Sequence, residues 1–337
     1  MSIAKHCIIA AVALLTFPLL LSAQKPAKPP APGGTAANPA IAYEAKADGN
    51  SLTDLMVMDA NGQNQTRLVR GGNNLTPRWS PDGEWIAFAR TSVTSPGIYM
   101  IRRNGTGLCR IVATSGLDRF GAPTWSPEPT VTGHHKIVYV DRTGGQTTDL
   151  FAVDAVCGAA NPQRLTDTPS LYERSPAWSS DNVLGAAVGP VALEIQLYDI
   201  VLDGVGGITL SPALNLTSVG PLTGVDVSFP LWTADRRDLV VSSGGFSVGL
   251  PPSKLPPKEL WLISANSPGI AIRLTSTADS FELRPTWSPD FTKLAFDNGN
   301  SIYTVDVNAT DWTLSQPTLL LKPRQGWVTS PSWRPVQ

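Results

Sequence analysis

The stretch Pro77-Arg78-Trp79-Ser80-Pro81-Asp82-Gly83 contains a motif that returns along the chain of 337 residues. The tryptophans of successive copies follow one another at intervals of 46, 53, 54, 55 and 46 residues. Repeats of this period are typical of propellers and solenoids, so the motif predicts a repeat fold. The other copies of the Pro-x-Trp motif are Pro123-Thr124-Trp125, Pro176-Ala177-Trp178, Pro230-Leu231-Trp232, Pro285-Thr286-Trp287 and Pro331-Ser332-Trp333.

The second repeat predicts a meander of four short strands. Its turn, Ser80-Pro81-Asp82-Gly83, combines a proline that presets φ with a glycine that tolerates positive φ. The apolar runs Trp85–Ala89 and Gly97–Ile101 follow, and the hairpin signal Asn104-Gly105 leads to a fourth strand at Cys109–Val112. The other repeats follow the same order. Their predicted fourth strands include Arg164–Thr166, Asn215–Thr217 and Arg273–Thr275.

The two ends of the chain complement each other. The first repeat has no Pro-x-Trp strand, whereas the chain ends on an isolated one, Pro331-Ser332-Trp333. If that last strand joins the first sheet, a ring closes and leaves only short, protected strand edges. The sequence therefore predicts an all-β fold. It is a six-bladed β-propeller of four-stranded antiparallel blades, and the C-terminal Pro-x-Trp strand closes the ring by joining the first blade.

The six repeated tryptophans are expected to pack between blades, because aromatic side chains bury large areas in protein cores. A stacking platform for sugars or bases is the alternative use of such a series. We expect Trp333 to contribute most to stability, since its loss would also loosen the closure of the ring.

The N terminus has the pattern of a secretory signal. Lys5 precedes the apolar run Cys7–Leu21, and the small residues Ser22-Ala23 follow at its exit. The run is short for a membrane span, so we expect no stable membrane insertion of the mature chain. These features predict a signal peptide at 1–23, a Pro-rich linker at 24–39 and the propeller at 40–337.

Charge and cysteine content narrow the choice of partners and compartment. The formal net charge is −1 and no basic tract occurs, so nucleic acid is not expected as a partner. Once the signal is removed, Cys109 and Cys157 remain. Both are expected near hairpins that join third and fourth strands in adjacent blades. In an oxidising compartment they form either a disulfide or a pair of buried thiols.

The segments Thr76–Phe88 and Arg284–Phe296 carry the repeat most completely. Their order of Pro-x-Trp-Ser-Pro-Asp, a turn and an apolar strand resembles the WD40-like repeats of the TolB propeller. The resemblance extends over Ile41–Trp333. TolB proteins carry an α/β domain ahead of the propeller, where this chain has only the Pro-rich linker, so it resembles the propeller half alone. The resemblance implies a periplasmic or secreted bacterial protein whose propeller binds other proteins through one face.

Motifs that would indicate catalysis are few. His134 and His135 are adjacent, and neighbours on an extended chain point in opposite directions, which makes a poor metal site. No Gly-x-Ser-x-Gly nucleophile elbow is present. We therefore predict no catalytic residues, no metal site and no cofactor. Carboxylates that could serve a glycosidase or lyase are Asp118, Glu173, Asp226 and Glu282, but arginines share their loops, and mixed charges favour ion pairs.

The loops that lead into the Pro-x-Trp strands are expected to form one face around a central channel. Arginine and aromatic residues are typical interface anchors, and these loops carry both. The long loop Ser242–Lys258 contains four prolines and is predicted to overhang the channel and contact a partner, with a passive insertion as the alternative. The predicted binding residues are Arg119, Tyr172, Glu173, Arg174, Phe281, Glu282, Arg284 and Trp327.

Together these features favour a non-enzymatic scaffold that is secreted or periplasmic and monomeric. It would bind a protein or a component of the cell envelope through the loop face. The alternative is a carbohydrate-active enzyme, a lyase or glycosidase, with carboxylates at the channel mouth.

Overall fold

A computed structural model of the chain describes residues 39–46, 52–117, 121–142, 147–159, 161–190, 192–244, 257–276 and 281–335. All regular elements in these ranges are strands. In chain order they are β1 (Ile41–Lys46), β2 (Asp54–Met58), β3 (Thr66–Val69), β4 (Asn74–Trp79), β5 (Trp85–Arg90), β6 (Gly97–Arg102), β7 (Cys109–Ala113), β8 (Thr124–Trp125), β9 (Lys136–Asp141), β10 (Asp149–Asp154), β11 (Gln163–Arg164), β12 (Tyr172–Trp178), β13 (Val183–Gly189), β14 (Glu194–Leu202), β15 (Ile208–Asn215), β16 (Val227–Trp232), β17 (Asp238–Ser243), β18 (Glu259–Ser264), β19 (Ala271–Arg273), β20 (Leu283–Trp287), β21 (Lys293–Asp297), β22 (Ile302–Asn308), β23 (Thr313–Leu314), β24 (Thr318–Leu321) and β25 (Trp327–Trp333).

The strands form six antiparallel sheets, which confirms the predicted six-bladed propeller. Blade 1 has the order β25-β1-β2-β3, and blades 2 to 5 each use four consecutive strands, from β4–β7 to β16–β19. In blade 6 the outermost strand is interrupted, so that β23 and β24 both pair with β22. In every blade the strand with the Pro-x-Trp motif is innermost.

The C-terminal strand closes the ring, as predicted. β25 pairs antiparallel with β1, with Ile41 opposite Trp333 and Lys46 opposite Trp327. Just beyond this ladder, the backbone amide of Arg334 donates to the carbonyl of Ala40 at 2.7 Å. The first blade thus takes its innermost strand from the other end of the chain.

Six apolar clusters make up the core, one at each boundary between adjacent blades. Each repeated tryptophan belongs to a different cluster or packs against it, which agrees with the expected packing between blades. Trp79, Trp125, Trp178 and Trp287 are buried, whereas Trp232 and Trp333 are half-buried. Four of the indoles also donate to a carbonyl of the preceding inner strand, at distances of 2.9 to 3.1 Å.

The fourth strands of blades 3 to 5 end earlier than predicted. Leu165, Thr166, Leu216 and Thr217 lie outside the strands, as do Leu274 and Thr275. The threonines take over the role of a ladder residue with their side chains. Their hydroxyl oxygens accept hydrogen bonds from backbone amides of the third strand at 2.9 to 3.0 Å. The amide of Leu150 donates to Thr166, that of Ile195 donates to Thr217, and that of Leu260 donates to Thr275. Each of these strands therefore ends two residues before its predicted end.

The residue before the motif proline adopts the left-handed conformation in five blades. Thr76, Ser175, Phe229, Arg284 and Ser330 have φ between 50° and 56°. The pairing of the inner strands shifts at the same place, so each inner strand carries a bulge. Such a conformation costs a non-glycine residue about 1–3 kcal/mol and is unusual before proline. The packed ring therefore imposes it on the inner strands.

A disulfide joins Cys109 and Cys157, with their Cα atoms 5.6 Å apart. It connects β7 of blade 2 to the segment that follows β10 of blade 3, at two positions for which the sequence left the pairing open. The predicted signal peptide and nearly all of the linker lie outside the described residues. Within the described ranges no helix has the length and apolar character needed to cross a membrane.

Candidate binding site

A cavity of about 470 Å³ opens at one end of the central channel. Its walls come from loops and inner strands of blades 1, 4, 5 and 6. Among the lining residues are Arg174, Phe281, Arg284 and Trp327, all four of which the sequence predicted for the binding face. Phe281 is 41% exposed, so an aromatic ring is available to a partner at this mouth. We call this end of the channel the loop mouth.

A second cavity of about 420 Å³ occupies the opposite end of the channel. It is lined by five of the six repeated tryptophans, all but Trp125, and Arg78 lies in its wall. Ser175 and Phe229 line both cavities. The two cavities are therefore the two ends of one channel, and they meet at these two residues.

Tyr172 and Arg174 lie together at the start of β12. The guanidinium carbon of Arg174 stands 5.2 Å from the centre of the Tyr172 ring, in cation–π geometry. Tyr172 is half-buried and packs against the apolar cluster between blades 4 and 5. The predicted residue Arg119 lies outside the described residues, as does most of the loop Ser242–Lys258.

Glu173 does not face the loop mouth. Its side chain is buried, and its carboxylate accepts hydrogen bonds from the Leu150 backbone amide at 2.9 Å and from the hydroxyl of Thr166. The hydroxyl of Tyr198 approaches the other carboxylate oxygen at 3.4 Å. Burial raises the pKa of Glu173 to about 7, although these hydrogen bonds oppose the rise. Glu173 ties blade 4 to blade 3 and is unavailable to a partner in this position.

Glu282 repeats this arrangement between blades 6 and 5. It is 1% exposed, and its carboxylate accepts hydrogen bonds from the Thr275 hydroxyl and from the Leu260 backbone amide at 3.4 Å. Both glutamates stand seven residues after the threonine that binds them. That spacing, Thr166 to Glu173 and Thr275 to Glu282, is the sequence signal that could have indicated their structural role.

Arg284 belongs to a buried ion pair that the sequence did not predict. Its guanidinium forms two hydrogen bonds with Asp297, at 2.6 and 2.8 Å, and Asp297 is fully buried. The charge of Asp297 raises the pKa of Arg284 against the opposing effect of burial. Asp297 also accepts the backbone amide of Ser330 at 3.0 Å, which fixes the bulge of β25. Arg284 is thus held in place before any ligand binds.

Two further carboxylates line the loop mouth. Asp226 forms an ion pair with Lys258 at 2.8 Å, and both side chains are largely buried. Glu44 accepts the backbone amide of Thr76 and lies 3.3 Å from the hydroxyl of Thr329. Sequence reasoning missed the contributions of Glu44 and Ser175, because they come from different blades and only the closed ring brings them together. Lys258 belongs to the loop Ser242–Lys258, which was predicted to overhang the channel.

Comparisons with known proteins show which fold the chain resembles. The chain matches no family model. An uncharacterized protein of Agrobacterium fabrum is 33% identical over 103 residues, which is 28% of this chain and 33% of that protein. The Tol-Pal system protein TolB of Alcanivorax borkumensis is 34% identical over 92 residues, which is 27% of this chain and 20% of that protein. The chain thus spans a third or less of the length of these curated relatives.

Solved structures resemble the chain over most of its length. TolB from Acinetobacter baumannii has a TM-score of 0.63 at 20% identity and covers 89% of this chain and 67% of its own. Kuenenia stuttgartiensis hydrazine synthase has a TM-score of 0.64 at 12% identity, with coverage of 87% and 46%. The periplasmic gluconolactonase of Pseudomonas aeruginosa has a TM-score of 0.55 at 10% identity, with coverage of 89% and 99%. At these identities the likeness concerns the fold, which is that of the TolB-type six-bladed β-propellers.

Proposed function

We propose that this TolB-type propeller is a non-enzymatic scaffold that binds a protein or a component of the cell envelope at the loop mouth. The observation that carries the proposal is the composition of this mouth. It combines the exposed ring of Phe281 with Trp327 and the guanidinium of Arg174, around a cavity of about 470 Å³. Aromatic residues and arginine are the anchors that dominate protein interfaces.

The state of the described carboxylates also supports a scaffold. Acid–base catalysis on a glycosidic bond needs two carboxyl groups that both face the substrate. Of the two carboxylates that line the loop mouth, Asp226 is paired with Lys258, and Glu44 binds the backbone amide of Thr76 and the hydroxyl of Thr329. Asp297 is paired with Arg284. Glu173 and Glu282 are buried between blades, where each binds a backbone amide and a threonine hydroxyl. This arrangement favours structural roles for all five.

A secreted or periplasmic location is part of the proposal. The disulfide between Cys109 and Cys157 is a bond that persists in oxidising compartments. The same location follows from the predicted signal peptide. We further propose that the protein acts as a monomer, because closure through β25 leaves the ring complete within one chain.

Affinity capture from an envelope extract with chemical cross-linking tests the proposal. The double variant Tyr172→Ala/Arg174→Ala should lose the captured partner. Its melting temperature should fall, because Tyr172 packs against the cluster between blades 4 and 5, but the variant should remain folded at the temperature of the capture. Phe291→Ala is the matched control, because Phe291 is 40% exposed and lines the cavity at the opposite end of the channel. If the double variant captures as much as the wild type, the assigned face is wrong.

A screen of polysaccharides tests the alternative of a carbohydrate-active enzyme. The proposal predicts no turnover by the wild-type protein. Turnover that is lost in Glu173→Gln and Glu282→Gln, while both variants remain folded, would overturn the scaffold and favour a lyase or glycosidase.

A further inference from the structure

The two cavities of the channel meet at two residues. Ser175 and Phe229 line both cavities, and we call this point the channel waist. Both residues precede a motif proline and hold the left-handed conformation, with φ of 51° and 56°. The same conformation occurs before the motif proline in three other blades, where the packed ring over-determines it. The waist is therefore a rigid position at the centre of the ring.

Ser175 presents an unsatisfied polar group at the waist. The residue is 4% exposed, and its Oγ has no hydrogen-bond partner among the described residues. Buried hydroxyl groups are nearly always hydrogen-bonded, because leaving one unpaired costs the desolvation of the group. A ligand in the channel would supply the missing partner, and the hydroxyl could donate to it.

Arginine side chains flank the waist on both sides. Arg174 and Arg284 line the loop mouth, and Arg78 lines the cavity at the tryptophan end. Among the described residues Arg78 takes part in no ion pair, and its Nη1 donates to the carbonyl of Pro77 at 2.9 Å. Burial and the nearby charge of Arg284 lower the pKa of Arg78 to about 10. It is still a cation at neutral pH, with further N–H donors to offer.

Several of the charges around the waist are already paired. Lys258 forms an ion pair with Asp226, and Arg284 forms one with Asp297. Arg78 is the charged side chain that lines the cavity at the tryptophan end. A group with one negative charge would neutralise Arg78, whereas a dianion would leave an excess of negative charge in a poorly solvated place.

We propose that the channel waist is a binding site for one carboxylate group, which accepts hydrogen bonds from Ser175 Oγ and from the guanidinium of Arg78. The planar guanidinium fork matches the two oxygens of a carboxylate. The ring of Phe229 forms the apolar wall of the site. The guanidinium carbon of Arg284 lies 5.6 Å from the centre of this ring. This inference goes beyond the scaffold proposal, because it holds for a small carboxylate without any macromolecular partner.

NMR titration of the full chain with acetate tests the site, with the arginine side-chain Nε–Hε signals as the readout. Acetamide, the neutral isostere, and inorganic phosphate are titrated in parallel at constant ionic strength. We expect saturable shifts with acetate, no response to acetamide, and weaker binding of phosphate. Tighter binding of phosphate than of acetate, or a linear response to acetate, would overturn the proposal.

Two variants locate the site, and one serves as control. Arg78→Gln should weaken acetate binding about tenfold or more, as expected for loss of a charge-assisted hydrogen bond. Ser175→Ala removes only the hydroxyl and should weaken it about threefold to tenfold. Arg70→Gln, at an exposed position that lines neither cavity, should bind acetate as the wild type does. Unchanged affinity in Ser175→Ala and in a folded Arg78→Gln protein contradicts the assignment.

A titration with peptides distinguishes a carboxylate on an acidic side chain of a partner from a free small carboxylate. The probe is an acetylated and amidated Gly-Gly-Glu-Gly-Gly peptide, with the corresponding glutamine peptide as its control. If the glutamate peptide binds more tightly than acetate, the site receives an acidic side chain of a partner. If acetate binds more tightly, the site receives a free small carboxylate. Binding of both peptides with equal affinity would contradict recognition of a carboxylate.

Discussion

The buried carboxylate of Glu173 accepts the backbone amide of Leu150 at 2.9 Å, across the boundary between blades 4 and 3. A charged group that is desolvated in this way binds a proton more readily than it does in water. The contact therefore makes the cohesion of two blades depend on pH.

Glu173→Gln should remove that dependence. The pKa of Glu173 is raised from 4.5 to about 7 in the folded protein, so its contribution to stability is present below about pH 4.5 and is lost as the pH rises through 7. Glutamine keeps the hydrogen-bond acceptor and cannot ionise. Urea unfolding between pH 4 and pH 9 should show that the variant gains stability relative to wild type at the alkaline end. A parallel pH dependence in both proteins would contradict the raised pKa, and Glu128→Gln, at an exposed position, is the control.

Removal of residues 325–337 should prevent cooperative folding, because blade 1 then lacks β25 and exposes the edge of β1.

The point variant Trp79→Ala should lower the free energy of unfolding by about 3–5 kcal/mol, as is typical for a buried aromatic residue. Trp333→Ala should cost less than Trp79→Ala, since Trp333 is half-buried, and this differs from the order expected from the sequence. Denaturant unfolding measures all three. A truncated protein that unfolds like the wild type would show that β25 is not needed for closure.

The double variant Cys109→Ser/Cys157→Ser should be less stable than the oxidised protein by about 2–4 kcal/mol. The innermost strand of blade 3, β8, has only two residues, so this blade has a short inner ladder. The disulfide stabilises the protein because it joins the outer part of blade 3 to blade 2. Thermal unfolding with and without dithiothreitol measures the effect. The reductant should lower the melting temperature of the wild type and leave that of the double variant unchanged. An equal response of both proteins would contradict the assigned bond.

Asp297→Asn should destabilise the protein by about 3–5 kcal/mol, because it leaves the Arg284 guanidinium buried without its counter-charge. The double variant Arg284→Met/Asp297→Leu removes both charges and should recover much of this loss. A double-mutant cycle of Arg284→Met, Asp297→Leu and their combination, followed by urea unfolding, measures the coupling. Additive effects of the two single substitutions would show that the pair contributes no coupling energy.

The architecture follows from the sequence because it is encoded locally and repeatedly. Pro285-Thr286-Trp287 and its equivalents mark each inner strand, and the unmatched Pro331-Ser332-Trp333 already implies how the ring closes. The positions of Arg174, Phe281, Arg284 and Trp327 at one mouth follow in turn from their place before the inner strands. The repeated motif is therefore sufficient to predict the number of blades and the closure of the ring.

The roles of individual side chains at the channel depend on contacts that no local pattern encodes. Glu173 precedes an arginine in a polar loop and was expected at the surface, but the adjacent blade buries it. Ser175 and Phe229 precede proline, which ordinarily favours extended backbone, and only the closed ring forces them into the left-handed region. The ion pair between Arg284 and Asp297 joins residues 13 positions apart whose approach depends on strand register.

Site-specific photo-crosslinking at the two ends of the channel tests the proposed binding face most directly. A benzoylphenylalanine in place of Phe281 reports on the loop mouth, and the same residue in place of Phe291 reports on the opposite end at matched exposure, 41% against 40%. After irradiation in an envelope extract, we expect a discrete adduct from position 281 and none from position 291. An adduct from position 291 alone, or equal labelling at both positions, would show that the loop mouth is not the binding face.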